Sequence, residues 1–430
     1  MTRAVEVWVD ADIARDTRVG TLHDDRGQVR FHYDPAWLAS PHAFALDRDL
    51  SLDAHPFFPR PETGNFSAFL DSSPDRWGQL LMDRRELLAA RDENRPPRKL
   101  HAWDYLLGVQ DFTRQGALRF RDSDSGVYLA AERLAAPPIT SLAELESVAR
   151  DLSSRRIDDL EKLRRWLAVL VVPGASLGGA RPKANFTDVD GSLWIGKFPS
   201  RDDDYDQGLW EFVLHRLAER ASIDVPPARK TMFSDYHTFC VRRFDRTDGR
   251  RRFYASALTL LRRADSEGAS YLEIAEFLQN QGDPQTLEAD LGQLFRRVLF
   301  NVMCGHRDDH LRNHGFLLGP GGWRLAPAFD MNPLAHKDTH VLCLDEADPH
   351  PSVTTVLATH EFYRLSASRA QQIARDLAEV IDGWHTLAQQ EGLARLEIAQ
   401  MESAFAAHEA FRTGADRPPP PRPARGRRRR

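Results

Sequence analysis

Residues 306–313 read His306-Arg307-Asp308-Asp309-His310-Leu311-Arg312-Asn313, and after two short strand-like segments the chain continues into Phe329-Asp330-Met331. An Asp and an Asn separated by four residues, followed by a second Asp, have the spacing of a protein-kinase catalytic loop. The chemistry explains the residue types. Moving a phosphoryl group off ATP requires Mg²⁺ to neutralise clustered phosphate charge, and Mg²⁺ prefers hard oxygen ligands. Asn313 and Asp330 supply such oxygens, which leaves Asp308 to receive or orient the proton of an acceptor hydroxyl. Two other readings fit the same residues. His306, His310 and His314 recur every fourth position, so a continuous helix would place them on one face to bind zinc, with Asp308 or Asp309 as a further ligand. A polar loop with a purely structural role is the other.

Charge and cysteine usage narrow the surroundings of this loop. The net charge of the 430 residues is −5, yet Arg417 to Arg430 contains seven arginines and no acid, so the remainder stands at −5 − 7 = −12. An acidic body argues against broad nonspecific nucleic-acid binding by the fold itself. Cys240, Cys304 and Cys343 lie far apart with no CxxC spacing, which excludes a disulfide scaffold and a cysteine zinc site and predicts small buried residues in a reducing compartment. No apolar h-region opens the chain and no run reaches the length of a membrane span, so the expectation is a soluble, cytoplasmic protein with no membrane partner.

Upstream, the chain carries what a phosphoryl-transfer loop needs, in order. Val5–Val9, Arg18–His23 and Gln28–Tyr33 alternate as strands of an antiparallel meander. A proline and a capping residue at Ser72-Ser73-Pro74-Asp75 open a periodic run through Trp77, Leu80 and Leu81, and Trp77 reads as a core or interdomain anchor. Val171 to Lys183 is rich in glycine, and Gly178 and Gly179 there suit a loop whose backbone N–H groups approach phosphate; Lys183 begins a strand. Lys197 ends the strand Ser192–Phe198, either as an edge device or as a buried phosphate ligand. Glu211 lies near the start of an amphipathic helix, Asp206 to Arg220, either paired with Lys197 or favouring the helix N-terminus. Further strands are predicted at Ala228–Phe233 and Thr238–Phe244. A long helix from Pro284 to Met303 delivers the loop, and helices resume at Ser366–Ile381 and Asp382–Ala407.

Taken together, the Gly174–Lys183 loop, the Ile-Gly-Lys-Phe-Pro strand end at Lys197, Arg243-Phe244-Asp245-Arg246, the Asp308–Asn313 loop and Phe329-Asp330-Met331 resemble the HipA family of bacterial serine/threonine kinases, toxins of type II toxin–antitoxin systems. The resemblance implies an α+β, two-lobed protein-kinase-like fold with a small N-terminal β-containing subdomain and a mostly helical C-terminal lobe. It divides the chain into residues 1–135, a HipA-like N-terminal subdomain; 136–245, an N-lobe-like region with the Gly-rich loop; 246–412, a helical C-lobe; and 413–430, a disordered Pro/Arg-rich tail. It implies an ATP- and Mg²⁺-dependent kinase in which Asp308 is catalytic and Asn313 and Asp330 hold the metal. Ser176, Gly178, Gly179, Lys183, Lys197, Phe244, Asn313 and Asp330 would bind ATP, and Glu211 would partner Lys197. Ser176 occupies a position similar to a loop serine whose autophosphorylation inactivates some members; a phosphate there would repel the nucleotide's own. The implied partners are a helix-turn-helix antitoxin, operator DNA reached through it, and a protein substrate such as an aminoacyl-tRNA synthetase. Met331 departs from eukaryotic-type kinases, which have Gly there.

Rival functions remain at this stage. A small-molecule kinase would use the same ATP machinery, and a co-repressor could keep the fold mainly to bind an antitoxin and DNA. A zinc hydrolase leaves Lys197 and the glycine loop unexplained.

Overall fold

The structure, a computed structural model, describes residues 2–131, 136–152 and 181–416. The glycine-rich loop with Ser176, Gly178 and Gly179, and the Arg-rich tail, lie outside the described residues. The predicted meander forms from β1 (Thr2–Ala11), β2 (Ala14–Asp25) and β3 (Gln28–Tyr33), and β4 (Leu118–Asp122) joins it to give the order β3-β2-β1-β4. Alternation drives it: Val5, Val7 and Val9 are buried on one face of β1, packed with Leu22, Phe31 and Phe120, while Glu6 and Trp8 face the other way. Between β3 and β4, after two short helical turns at Pro35–Leu38 and Ser67–Asp71, come α1 (Arg76–Asp92), whose N-cap Asp75 accepts from Arg76 N, and α2 (Ala102–Gly108).

A second antiparallel sheet carries the phosphate-side lysines. It runs β5 (Lys183–Thr187), β6 (Leu193–Lys197), β8 (His237–Arg242), β7 (Ala228–Met232) in spatial order. Helix α3 (Leu142–Leu152) packs against it, and the cluster Trp77, Leu81, Leu145, Phe186, Trp194 and Phe198 joins α1 and α3 to the sheet. Trp77 also donates its indole N–H to Lys183 O at 2.9 Å, so it is a buried core residue that ties α1 to β5. Helix α4 (Gln207–Arg220) lies on β8, and its N-cap Asp206 accepts from Leu209 N and His237 N.

Below this sheet the chain becomes helical. A small sheet of β9 (Phe253–Ser256), β10 (Gly315–Gly319) and β11 (Gly322–Leu325) floors the region, with α5 (Tyr271–Gln281) and the buried α6 (Leu287–Met303) behind it. Helix α7 (Ala367–Ile381) forms as predicted, whereas the single helix predicted over 382–407 does not. It is divided into Trp384–Glu391, Arg395–Met401, a 3₁₀ turn Glu402–Phe405 and Ala406–Thr413. Gly392 explains the break: at φ 106° it takes the left-handed conformation and its N–H caps Ala388 and Gln389. The resulting fold-back stacks Trp384 on Phe405 with ring centroids 4.0 Å apart.

The turn that ends α6 sets the position of everything after it. Gly305 sits at φ 65°, and a Cβ added there would meet Ala404 O at 2.3 Å. Both the backbone conformation and the space demand glycine. Replacing Gly305 by Ala is expected to cost about 2–4 kcal/mol of stability, the sum of left-handed strain and overpacking, read as the shift in urea midpoint at unchanged slope; a loss under about 0.5 kcal/mol would contradict this account.

Candidate functional site

Three side chains from three elements converge on one ammonium. Lys197, at the end of β6, places Nζ 2.5 Å from Glu211 Oε1 on α4 and 2.5 Å from Asp330 Oδ1 beyond the β10–β11 hairpin. Strand alternation turns Lys197 inward, where it is 8% exposed, and the helical period turns Glu211 towards it. Burial alone would lower the Lys197 pKa, but Asp330 and Glu211 outweigh it and hold the ammonium above its usual range. Burial raises the Glu211 carboxyl, against the pull of Lys197. Burial would also raise Asp330, yet Lys197 and Lys183 together draw it well below the usual carboxylate range. Two carboxylates share one ammonium, and Asp330, with 39% of its side chain exposed, is the more open of the two. Lys183, opposite Lys197 in the β5–β6 register, is pushed down to about 8 by burial and by its neighbouring ammonium. Asp330 holds φ 61°, a left-handed conformation unusual for a residue with a Cβ.

The loop from Gly305 to Asn313 is not helical. After α6 it runs irregularly to a single 3₁₀ turn, Leu311–Asn313, so His306, His310 and His314 do not share a helix face, and the zinc reading loses its geometry. His306 Nδ1 is 3.0 Å from Asn332 O, and Asp309 accepts at one oxygen from Tyr271 OH at 2.7 Å and Asn301 Nδ2 at 2.8 Å, with His314 Nε2 also 2.8 Å away. Asp309 is 2% exposed, and although burial would raise its pKa, His314 and the other donors hold it well below the usual range. This anchor went unrecognised in the sequence, where Asp308 and Asp309 look alike. Their environments separate them: the Asp308 side chain is 62% exposed and has one polar partner among the described residues, Lys337 Nζ at 2.9 Å.

A cavity of about 200 Å³ collects most of the predicted residues. Lys183, Lys197, Glu211, Phe244, Asn313 and Asp330 all line it, whereas Asp308 stands in the loop just outside the lining. Ile195, Phe239 and Val241 make one wall apolar, and Phe244 closes it against Phe329, with ring centroids 5.4 Å apart. An apolar slot beside paired lysines and oxygen donors suits a flat ring joined to a polyanion. His310, weighed from sequence only as a zinc ligand, lines the same cavity, as do residues that sequence did not assign to it, among them Arg312 in the loop and Asp71 and Asp75 from the N-terminal half. No local pattern could have placed the last two there. The Asp309 anchor is tested by Asp309→Ala, which strands the Tyr271, Asn301 and His314 donors and is expected to cost about 3–5 kcal/mol. Because the folded pKa is depressed, the contribution is present above the ordinary carboxylate pKa of about 4 and is lost as pH falls below it. The stability gap between wild type and variant should therefore narrow below about pH 4; a gap that does not narrow there would refute the charged anchor.

The model of the HipA-like C-terminal domain matches residues 175–384, and that of the HipA N-terminal domain matches residues 9–107. A putative kinase of Sinorhizobium fredii, Y4mE, is 24% identical over 422 residues, which span 91% of this chain and 86% of that protein. The serine/threonine-protein kinase toxin HipA of Shewanella oneidensis is 23% identical over 189 residues, 37% of this chain and 43% of its own length. Among solved structures, a chain of the Shewanella oneidensis complex of HipA, HipB and operator DNA superposes with a TM-score of 0.65 at 17% identity, covering 94% of this chain and 96% of that one. With both halves matched and the fold shared, this chain belongs to the HipA family and has its α+β, kinase-like fold.

Proposed function

We propose that the chain is an ATP- and Mg²⁺-dependent serine/threonine protein kinase, the toxin of a HipA-type toxin–antitoxin pair. The observation that carries this reading is the Lys197 ammonium held between Glu211 and Asp330 in the same cavity as Asn313. The donor set fits the groups it would need. Asn313 and Asp330 offer hard oxygens for Mg²⁺, Lys183 and Lys197 offer fixed positive charge for phosphates, and Phe244 with the apolar wall offers a face for adenine. When bound, Mg·ATP supplies the transferable phosphoryl group. Asp308, solvent-open and next in chain to the buried Asp309, accepts the proton of the incoming hydroxyl as its oxygen bonds to the γ-phosphorus and ADP departs.

In this reading residues 1–135, 136–245 and 246–412 are the N-terminal subdomain, the nucleotide-side lobe and the helical lobe, and 413–430 a tail. A HipB-like antitoxin and operator DNA are proposed partners, because the solved relative is a complex with both. The acceptor is a protein hydroxyl, and Ser176 is a second acceptor within the chain.

The test is phosphate transfer from γ-labelled ATP with Mg²⁺, followed by phosphopeptide mapping. Wild type should label protein. Asp308→Ala should lower the rate about 10²–10⁴-fold, the range for losing a general base, and Ser176→Ala should remove label from the loop peptide alone. Label on small alcohols or sugars with none on protein would make the chain a small-molecule kinase. A chain that fails to bind ATP after phosphatase treatment, yet still joins an antitoxin on DNA, would be a co-repressor.

A further inference from the structure

The acceptor end of the site holds a cation that no motif marks. Lys337 lies on the irregular stretch after Asp330, and its Nζ is 2.9 Å from Asp308 Oδ1. An isolated exposed pair of this kind would be worth little, because both side chains stay free to move. Here the backbone around the lysine is fixed from the catalytic loop itself. The Arg307 guanidinium, adjacent to Asp308, donates to Lys337 O and, at 3.3 Å, to Leu334 O. Leu334 N donates to Gly305 O at 3.0 Å and Val341 N to Arg307 O at 3.1 Å, while Ser403 Oγ donates to Ala335 O at 3.2 Å. Residues 334–341 are thus tied on both sides of Lys337 to the segment that carries Asp308. The lysine side chain is 31% exposed, half the exposure of the carboxylate it holds.

Resting on the kinase reading above, we propose that Lys337 is a positioning residue for phosphoryl transfer, which orients the Asp308 carboxylate towards the acceptor hydroxyl and sets a positive charge at that end of the site. In the step it serves, the hydroxyl proton passes to Asp308, the new O–P bond forms, and the bond from the γ-phosphorus to the bridging oxygen breaks with its electron pair leaving on ADP. Charge on the transferring group spreads over its equatorial oxygens, and a fixed ammonium beside the base stabilises that spread without reorganising. Asp309 cannot supply this orientation, since its carboxylate is consumed by Tyr271, Asn301 and His314. Lys197 cannot either, since it is engaged with Glu211 and Asp330.

The experiment compares full-length wild type, Lys337→Gln, Lys337→Arg and Asp308→Asn with γ-labelled ATP and Mg²⁺, taking dephosphorylated casein and the chain itself as acceptors. Lys337→Gln is expected to lower kcat about 10- to 100-fold, with KM for ATP within about twofold of wild type and an unchanged melting temperature. Lys337→Arg should recover most of the rate, because its guanidinium also reaches a carboxylate. A Lys337→Gln rate equal to wild type, in a chain whose transfer is abolished by Asp308→Asn, overturns the proposal and leaves the kinase reading intact. A KM rise with kcat unchanged overturns it also, making Lys337 a binding residue instead. A wild type that labels neither acceptor, or one indifferent to Asp308→Asn, overturns the kinase reading and the proposal with it.

Discussion

The site depends on one ammonium that must satisfy two carboxylates in a place with little water. Lys197, Glu211 and Asp330 come from a strand, a helix and a post-hairpin segment, and Asp330 lies far from the other two along the chain. Removing Lys197 leaves the buried Glu211 carboxyl without its cation, a loss of several kcal/mol where such buried pairs have been broken. The three elements are therefore held in mutual register by charge as well as by packing. The same bonds account for the strained backbone at Asp330. A residue with a Cβ in the left-handed region costs about 1–3 kcal/mol, and a carboxylate drawn to two lysines offsets it. The strain falls at the residue just before Met331, so this chain has no glycine at the point where eukaryotic-type kinases place one.

How far this could be read from the sequence follows the range of each signal. Local period was enough for the meander, for the inward face of β6 and for the Glu211 face of α4, because alternation and helical spacing act within a few residues. Local spacing was enough to single out Asp308, Asn313 and Asp330. It could not say that Lys197 meets Asp330, which lies 133 positions away with no pattern joining them. Nor could it separate Asp309 from Asp308, since the difference is made by Tyr271 on α5 and Asn301 on α6. The helical period predicted over 382–407 runs through Gly392, whose left-handed cap ends the helix and allows Trp384 to stack on Phe405.

Asp308 and Asp309 show how a two-residue sequence can do opposite jobs. Buried and held at one oxygen by Tyr271, Asn301 and His314, Asp309 has its carboxyl pKa drawn well below the usual range. Its neighbour points the other way, into solvent, with a single lysine for company. The anchor and the reactive group are neighbours on one short backbone segment. Fixing the first aims the second.

The N-terminal half is part of this arrangement and not an appendage to it. The Arg243 guanidinium, 5% exposed, donates to Thr113 O at 2.6 Å and to Asp245 at 2.6 Å, and Gly116 N donates to the same carboxylate at 2.8 Å. Arg246 reaches Arg114 O at 2.7 Å and Arg251 reaches Asp111 O at 2.5 Å. These arginines have their hydrogen-bond needs met by carbonyls that belong to the other half, so separating the halves would leave several buried guanidinium donors without acceptors, each costing about 1–3 kcal/mol or more. Phe244, which closes the apolar wall of the cavity, sits between Arg243 and Asp245 in that seam. Asp71 and Asp75 line the same cavity from across it. Arg243, Phe244 and Asp245 thus contribute both to the lining of the cavity and to the seam between the two halves.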